Sequence, residues 1–266
     1  MPALDIGFST CPNDTFIFHA MLYGFIDTRG MVFNPHLHDV EELNNKAFSL
    51  AFHISKLSFY AYFKLKETYE ILDSGSALGY GCGPLLIGRP SMQFTTESKI
   101  AIPGQYTTAY LLLQLWNPEI RNVEVTRFDN ILEGVKTGKY DAGLIIHEGR
   151  FVYPDYGCVK IIDLGEWWED ETGLPIPLGC IAVRKDRPTL ALKADIESVL
   201  RNSIQYAFEN RAASRKFIKM HAQEMDDQVI DGHIDLYVND FTLSLGHEGR
   251  KAIETLEEMA QWKGIL

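Results

Sequence analysis

Apolar and polar positions along this chain switch repeatedly between a period of two residues and a period of three to four. Strand-like runs fall at residues 4–8, 31–37, 50–54, 69–72, 84–88, 123–127, 159–164 and 178–183, and residues 99–104 open a further strand–turn unit. Helix-like stretches lie between them at 16–23, 40–48, 59–66, 109–116 and 130–137. Strand–helix alternation of this kind predicts βα units on a parallel sheet. Beyond residue 183 the pattern is mainly helical, over 192–210, 214–221, 226–237 and 249–262. Two stretches break the alternation: residues 89–98 are polar, irregular and contain Pro90, and Leu174-Pro-Ile-Pro177 is a stiff connector. They bracket a middle segment with βα units of its own. The prediction is an α/β two-lobed clamshell, with lobe I from 1–90 and 178–266 and lobe II, 91–177, inserted in it. Sites in such proteins lie between the lobes, and closure excludes water from the ligand.

The stretch Asp141-Ala-Gly-Leu-Ile-Ile-His-Glu-Gly-Arg150 carries the clearest chemical signal. Its apolar run, Leu144-Ile145-Ile146, stops abruptly at His147. Ligands in open α/β sheets sit beyond the carboxyl ends of strands. Histidine is the side chain whose ordinary pKa lets it take and return a proton near neutral pH. His147 is therefore a candidate general base, against the simpler reading of an imidazole closing a strand end. Three polar turns lead into helices. In Ser9-Thr-Cys-Pro-Asn-Asp-Thr15, Asn13 or Asp14 is placed to cap the helix over 16–23. In Ser55-Lys-Leu-Ser58, Lys56 and Ser58 can hold a carboxylate, and in Gln105-Tyr-Thr-Thr108, Thr107 and Thr108 sit where hydroxyls and helix N–H groups converge. Each also reads simply as a well-capped helix start.

Other features exclude more than they propose. The glycine-dense loop over 75–83 has neither a GxGxxG fingerprint in strand–turn–helix context nor a P-loop. The four cysteines, Cys11, Cys82, Cys158 and Cys180, lack zinc-site spacing, so no metal is expected and reduced thiols are. Cys11 precedes a helix start and can be weighed as a nucleophile; a buried or incidental thiol is the stronger reading. Trp167 and Trp168 either wall a planar ligand or pack between the lobes. His221, His233 and His247 read as surface or satisfied residues of the helical tail.

Composition narrows the class further. The 266 residues are 46% hydrophobic and 23% charged, with a formal net charge of −11. That balance argues against nucleic acid or an anionic membrane as partner, and no apolar run approaches a membrane span. The start, Met1-Pro-Ala-Leu-Asp5, lacks the basic and apolar regions of a signal peptide, so a cytoplasmic location is expected. Oligomeric state is left open.

Four stretches together carry a family resemblance: Ser9-Thr-Cys-Pro-Asn-Asp-Thr-Phe-Ile-Phe18, Ser55-Lys-Leu-Ser58, Gly104-Gln-Tyr-Thr-Thr-Ala-Tyr110 and Gly143-Leu-Ile-Ile-His-Glu148. Asp163-Leu-Gly-Glu-Trp-Trp168 and Thr172-Gly-Leu-Pro-Ile-Pro-Leu-Gly179 fit as well. The chain resembles the 1,4-dihydroxy-6-naphthoate synthases of the futalosine branch of menaquinone (vitamin K2) biosynthesis. The resemblance implies a fold like type II periplasmic binding proteins, used in the cytoplasm for catalysis. It implies a lyase that converts cyclic dehypoxanthine futalosine to 1,4-dihydroxy-6-naphthoate with loss of a three-carbon fragment and no cofactor. By motif, His147 is the proton acceptor, and Lys56, Leu57, Ser58, Thr107 and Thr108 bind a small-molecule carboxylate. A non-catalytic solute-binding or sensor protein for a small carboxylate is the alternative, and a Cys11-dependent transferase a third.

Overall fold

The computed structural model describes residues 3–222 and 226–266; Met1 and Pro2, part of the start read above for a signal peptide, lie outside them. In chain order the first elements are β1 (Ala3–Ser9), α1 (Pro12–Leu22), β2 (Val32–His38), α2 (Val40–Phe48), β3 (Ile54–Ser58) and α3 (Phe59–Lys64). Next come β4 (Tyr69–Ile71), β5 (Ala77–Gly79), β6 (Leu85–Gly88), β7 (Ile100–Ile102), α4 (Thr108–Trp116) and β8 (Val123–Val125). Then follow α5 (Ile131–Lys136), β9 (Ala142–Ile145), α6 (Gly149–Val152), β10 (Val159–Asp163), α7 (Leu164–Thr172) and β11 (Ile176–Arg184). The tail holds α8 (Arg187–Ala191), α9 (Lys193–Glu209), α10 (Arg215–His221), α11 (Asp227–Tyr237), α12 (Asp240–Leu243) and α13 (Gly246–Trp262). No helix of the described residues is long and apolar enough to cross a membrane.

Two sheets result. The first has the order β2-β1-β3-β11-β4, with β5 also paired to β11; the second has the order β10-β6-β9-β7-β8. Pairing is parallel between β1 and its two neighbours and between β7 and its two. It is antiparallel wherever β11, β6 or β10 takes part. The sheets are thus mixed rather than parallel, because each strand that carries the chain between sheets enters against its neighbour's direction. β6 belongs to the second sheet. The chain therefore leaves the first sheet between β5 and β6, ahead of the polar 89–98 stretch, and re-enters it with β11. At this crossing Gly83 and Gly165 touch through their backbones: a Cβ on Gly83 would lie 2.3 Å from the Cα of Gly165.

Three further expectations are corrected. β3 occupies 54–58, not 50–54. Leu50 is exposed with φ +57, and the N–H groups of Leu50 and Ala51 bond back to Ala47 and Lys46, so this stretch wraps the end of α2. The polar Ser55-Lys-Leu-Ser58 run lies inside a central, wholly buried strand. α1 begins at Pro12, whose fixed φ suits a first helical position, and Cys11 is its cap residue without a side-chain bond. The tryptophan stretch, to which the sequence pattern assigned no element, is a helix: Asp163 accepts from the N–H groups of Gly165 and Glu166 at its start, and Gly173 ends it at φ +67.

Burial explains the layering. Leu4, Ile6 and Phe8 of β1 pack with Phe16, Ile17 and Met21 of α1 and with α9 on one side of the first sheet. A second apolar cluster runs from β3, α3 and α13 of the first sheet into β7, β9, α4 and α7 beside the second. Trp168 is fully buried in that shared cluster and donates its indole N–H to Pro175 O at 3.1 Å. The tryptophan pair thus packs between lobes.

Candidate active site

Where the sheets face one another, an empty volume of about 420 Å³ is lined by Ser58, Thr107, Thr108, Ala109, Ile146, His147, Leu178 and Tyr237, with Val40, Cys82 and Pro84. Four of the six expected residues are on its wall: Ser58, Thr107, Thr108 and His147. Two are not. Leu57 is completely buried on the opposite face of β3, as the two-residue period of a strand requires. Lys56 is buried, and its ammonium sits 2.9 Å from Asp14 Oδ1.

His147 follows β9 with φ +54, a left-handed conformation that a non-glycine residue adopts at a cost of about 1–3 kcal/mol. Its backbone is thereby turned out of the strand at the cavity. The residue is half-buried, but Nε2 is fully buried and has no hydrogen-bond partner. Cys11 Sγ lies 3.5 Å from Nδ1. Phe128 meets the ring edge-on at a centroid distance of 5.2 Å. His233 stacks on it at 6.1 Å with 18° between the planes. Burial lowers the His147 pKa to about 4; the Asp14 charge opposes this and that of Lys56 adds to it. The imidazole is therefore neutral at pH 7 with one ring nitrogen unengaged, as a general base requires. Burial, and next the charge of Glu148, pushes the Cys11 thiol well up, so it stays protonated and is a poor nucleophile.

Facing His147 is the start of α4. Thr107 caps it, accepting from Tyr110 N–H while donating to Gly104 O at 2.9 Å. Thr108 donates to Leu178 O at 2.6 Å, from the second sheet's side to the first's. Both hydroxyl protons are thus committed within the protein. The groups left for a substrate oxygen are the N–H groups of Thr108 and Ala109, which an α-helix leaves without internal acceptors. Ser58 is fixed by Asn44, whose side-chain oxygen accepts from Ser58 N–H at 3.0 Å and whose amide donates to Ser58 Oγ at 3.1 Å. The expected role of Asn13 or Asp14 as a helix cap gives way to a buried network. Asp14 accepts from Ser9 N–H and Oγ, from Asn13 Nδ2 and from Lys56.

Several participants escape a reading of the sequence. Asn44 and Tyr237 carry no local motif. Glu41 reaches from α2 across the cleft to accept from the N–H groups of Gln105 and Tyr106, and burial raises its pKa. Arg150 bonds Gly83 O and Asp163, so the Gly-Arg that ends the His147 motif is anchored to the crossing between sheets. Of the tail histidines, His233 is fully buried, and its Nε2 donates to Asn13 Oδ1 at 3.0 Å. Of the other two, His221 is half-buried against Phe217 and His247 is exposed.

A two-lobed α/β protein with a neutral imidazole and a helix start on the wall of one cavity is the class this geometry defines. The model of the menaquinone biosynthesis family matches residues 4–262, and the chain belongs to that family. A protein of Thermus thermophilus named 1,4-dihydroxy-6-naphtoate synthase is 44% identical over 265 residues, covering all of this chain and 96% of its own. One of Streptomyces coelicolor with the same name is 39% identical, covering 99% and 94%. A crystal structure of an Archaeoglobus fulgidus protein superposes with a TM-score of 0.92 at 33% identity, over 99% of this chain and 98% of that one. The alkanesulfonate-binding protein of Xanthomonas axonopodis, at 14% identity and TM-score 0.71 over 100% and 94%, shares the periplasmic-binding-protein fold.

Proposed function

We propose that the chain is a 1,4-dihydroxy-6-naphthoate synthase, a carbon–carbon lyase that releases a three-carbon fragment, dihydroxyacetone, from cyclic dehypoxanthine futalosine. The observation that carries this reading is the neutral imidazole of His147, its Nε2 buried and unpartnered beside the cavity, opposite the start of α4. Proton removal next to a carbonyl followed by carbon–carbon cleavage needs one base and donors for the oxyanion. In this mechanism Nε2 of His147 takes the proton while the N–H groups of Thr108 and Ala109 hold the developing charge. Ser58, whose Oγ is held by Asn44, receives the substrate carboxylate. Lys56 acts at one remove, through Asp14. A general base typically supplies ~10²–10⁴-fold and each oxyanion donor ~10²–10³-fold.

A binder without chemistry is not favoured, since both curated relatives are named as synthases. Four buried free thiols suit the reducing cytoplasm in which we place the protein. Incubation with the cyclic substrate, followed by chromatography, tests the reading. The naphthoate product is expected to accumulate in proportion to enzyme; saturable binding without product over hours would remove the catalytic claim and favour the sensor.

A further inference from the structure

His233 has a role that a buried histidine of a helical tail does not require. Its ring lies wholly inside the protein between His147, at 6.1 Å, and Tyr237, at 4.6 Å. Its Nε2 faces Asn13 Oδ1 at 3.0 Å, while Nδ1 is buried without a partner. The orientation of Asn13 is dictated by the next link: its Nδ2 donates to Asp14 Oδ1 at 3.0 Å, the oxygen that also receives Lys56. An ionised carboxylate only accepts, so the amide nitrogen must face Asp14 and the amide oxygen must face His233. An amide oxygen also only accepts, so His233 must donate. Its proton therefore resides on Nε2, and the lone pair on Nδ1.

On this basis we infer that His233 is a positioning residue for His147: Lys56, Asp14 and Asn13 hold it in one tautomer, and its uncharged ring is the fixed face against which the His147 ring lies. The inference rests on the proposed role of His147 as base. His147 lies two residues past the last residue of β9 in a left-handed conformation and has no strong hydrogen bond of its own among the described contacts, only the sulfur of Cys11. Stacking by His233 on one side and the edge of Phe128 on another then limits the swing of the ring. The groups facing this pair are Cys11 and Asp14 from α1, Lys56 from β3, Tyr237 from α11 and Glu148 next in the chain. Burial and the proximity of His147 and Lys56 hold His233 well below the ordinary histidine pKa, which agrees with an uncharged ring.

Three variants separate the ring from its hydrogen bond. His233→Ala removes both, His233→Phe keeps the ring, and His233→Gln keeps a donor for Asn13. In the Ala and Gln proteins kcat is expected to fall roughly 10- to 100-fold, the size of a misplaced catalytic group, with KM within about threefold. The acidic limb of the pH profile should also move up, as water enters beside His147. His233→Phe should stay within about fivefold of the parent, with its acidic limb in place. Full activity in His233→Ala, or rescue by Gln and not by Phe, would overturn the inference, because the Asn13 bond would then serve only to tie α11 to α1. Should the variants fail to fold, ¹⁵N-histidine NMR of the unmodified protein decides. His233 is expected as an Nε2–H ring that does not titrate between about pH 5 and 8, and an Nδ1–H ring or one titrating in that range would sink the proposal. That spectrum needs no turnover, so failure of the proposed lyase activity and failure of this inference are told apart.

Discussion

The starts of α1 and α4 look alike in the sequence: each is a strand, a short polar turn and a helix. In the folded protein they do opposite things. At α1 the turn is filled by its own side chains: Asp14 folds back onto Ser9 and takes Lys56, and Asn13 takes His233. At α4 the two threonines spend their hydroxyl protons on Gly104 O and Leu178 O, and the N–H groups of Thr108 and Ala109 remain on the cavity wall. The polar side chains of the α1 start are thus consumed by a buried network, whereas the α4 start keeps two N–H groups beside the cavity. In the proposed reaction, one start supports the base and the other faces the substrate.

The contrast can be attacked at several points. His147→Ala, which removes the group set between the two starts, is expected to lower kcat by about 10²–10⁴-fold while ligand binding and the fold persist, as steady-state kinetics and circular dichroism would report. If turnover is near normal, neither start supports the reaction described. Lys56→Met leaves the buried carboxylate of Asp14 without its cation and should cost about 3–5 kcal/mol in urea unfolding. A loss below about 1 kcal/mol would mean that the α1 network is solvated after all.

Acid provides a third probe. The His147 pKa is about 4 in the fold, against ~6.5 in an unfolded chain, so the unfolded state gains its proton first as pH falls. The contribution of this group to stability is complete above about pH 6.5 and is lost progressively down to about pH 4. His147→Gln should therefore show a shallower decline of stability than the parent across that window. Equal slopes would place the ring in water. Smallest is Thr107→Ala, which removes the α4 cap and should cost about 1 kcal/mol, with catalysis falling less than for His147→Ala because the N–H groups remain.

Much of this was legible in advance where the signal is local. Thr107 before an apolar helical run, and His147 at the end of an apolar strand, are both recognisable from neighbours a few residues away. What stayed hidden depends on contacts that only topology creates: Lys56 meets Asp14 across 42 positions, and Asn13 meets His233 across 220. The same cause misplaced β3. Its polar residues resemble a loop until Asn44 and Asp14 arrive from other elements to satisfy them. α7 was not read from the sequence at all, although Asp163 at one end and Gly173 at the other are ordinary helix boundaries.

The contact between Gly83 and Gly165 leaves no slack where the chain crosses between the sheets. Neither residue brings a side chain of its own, and a single methyl group on either would act as a shim, forcing the crossing strands apart.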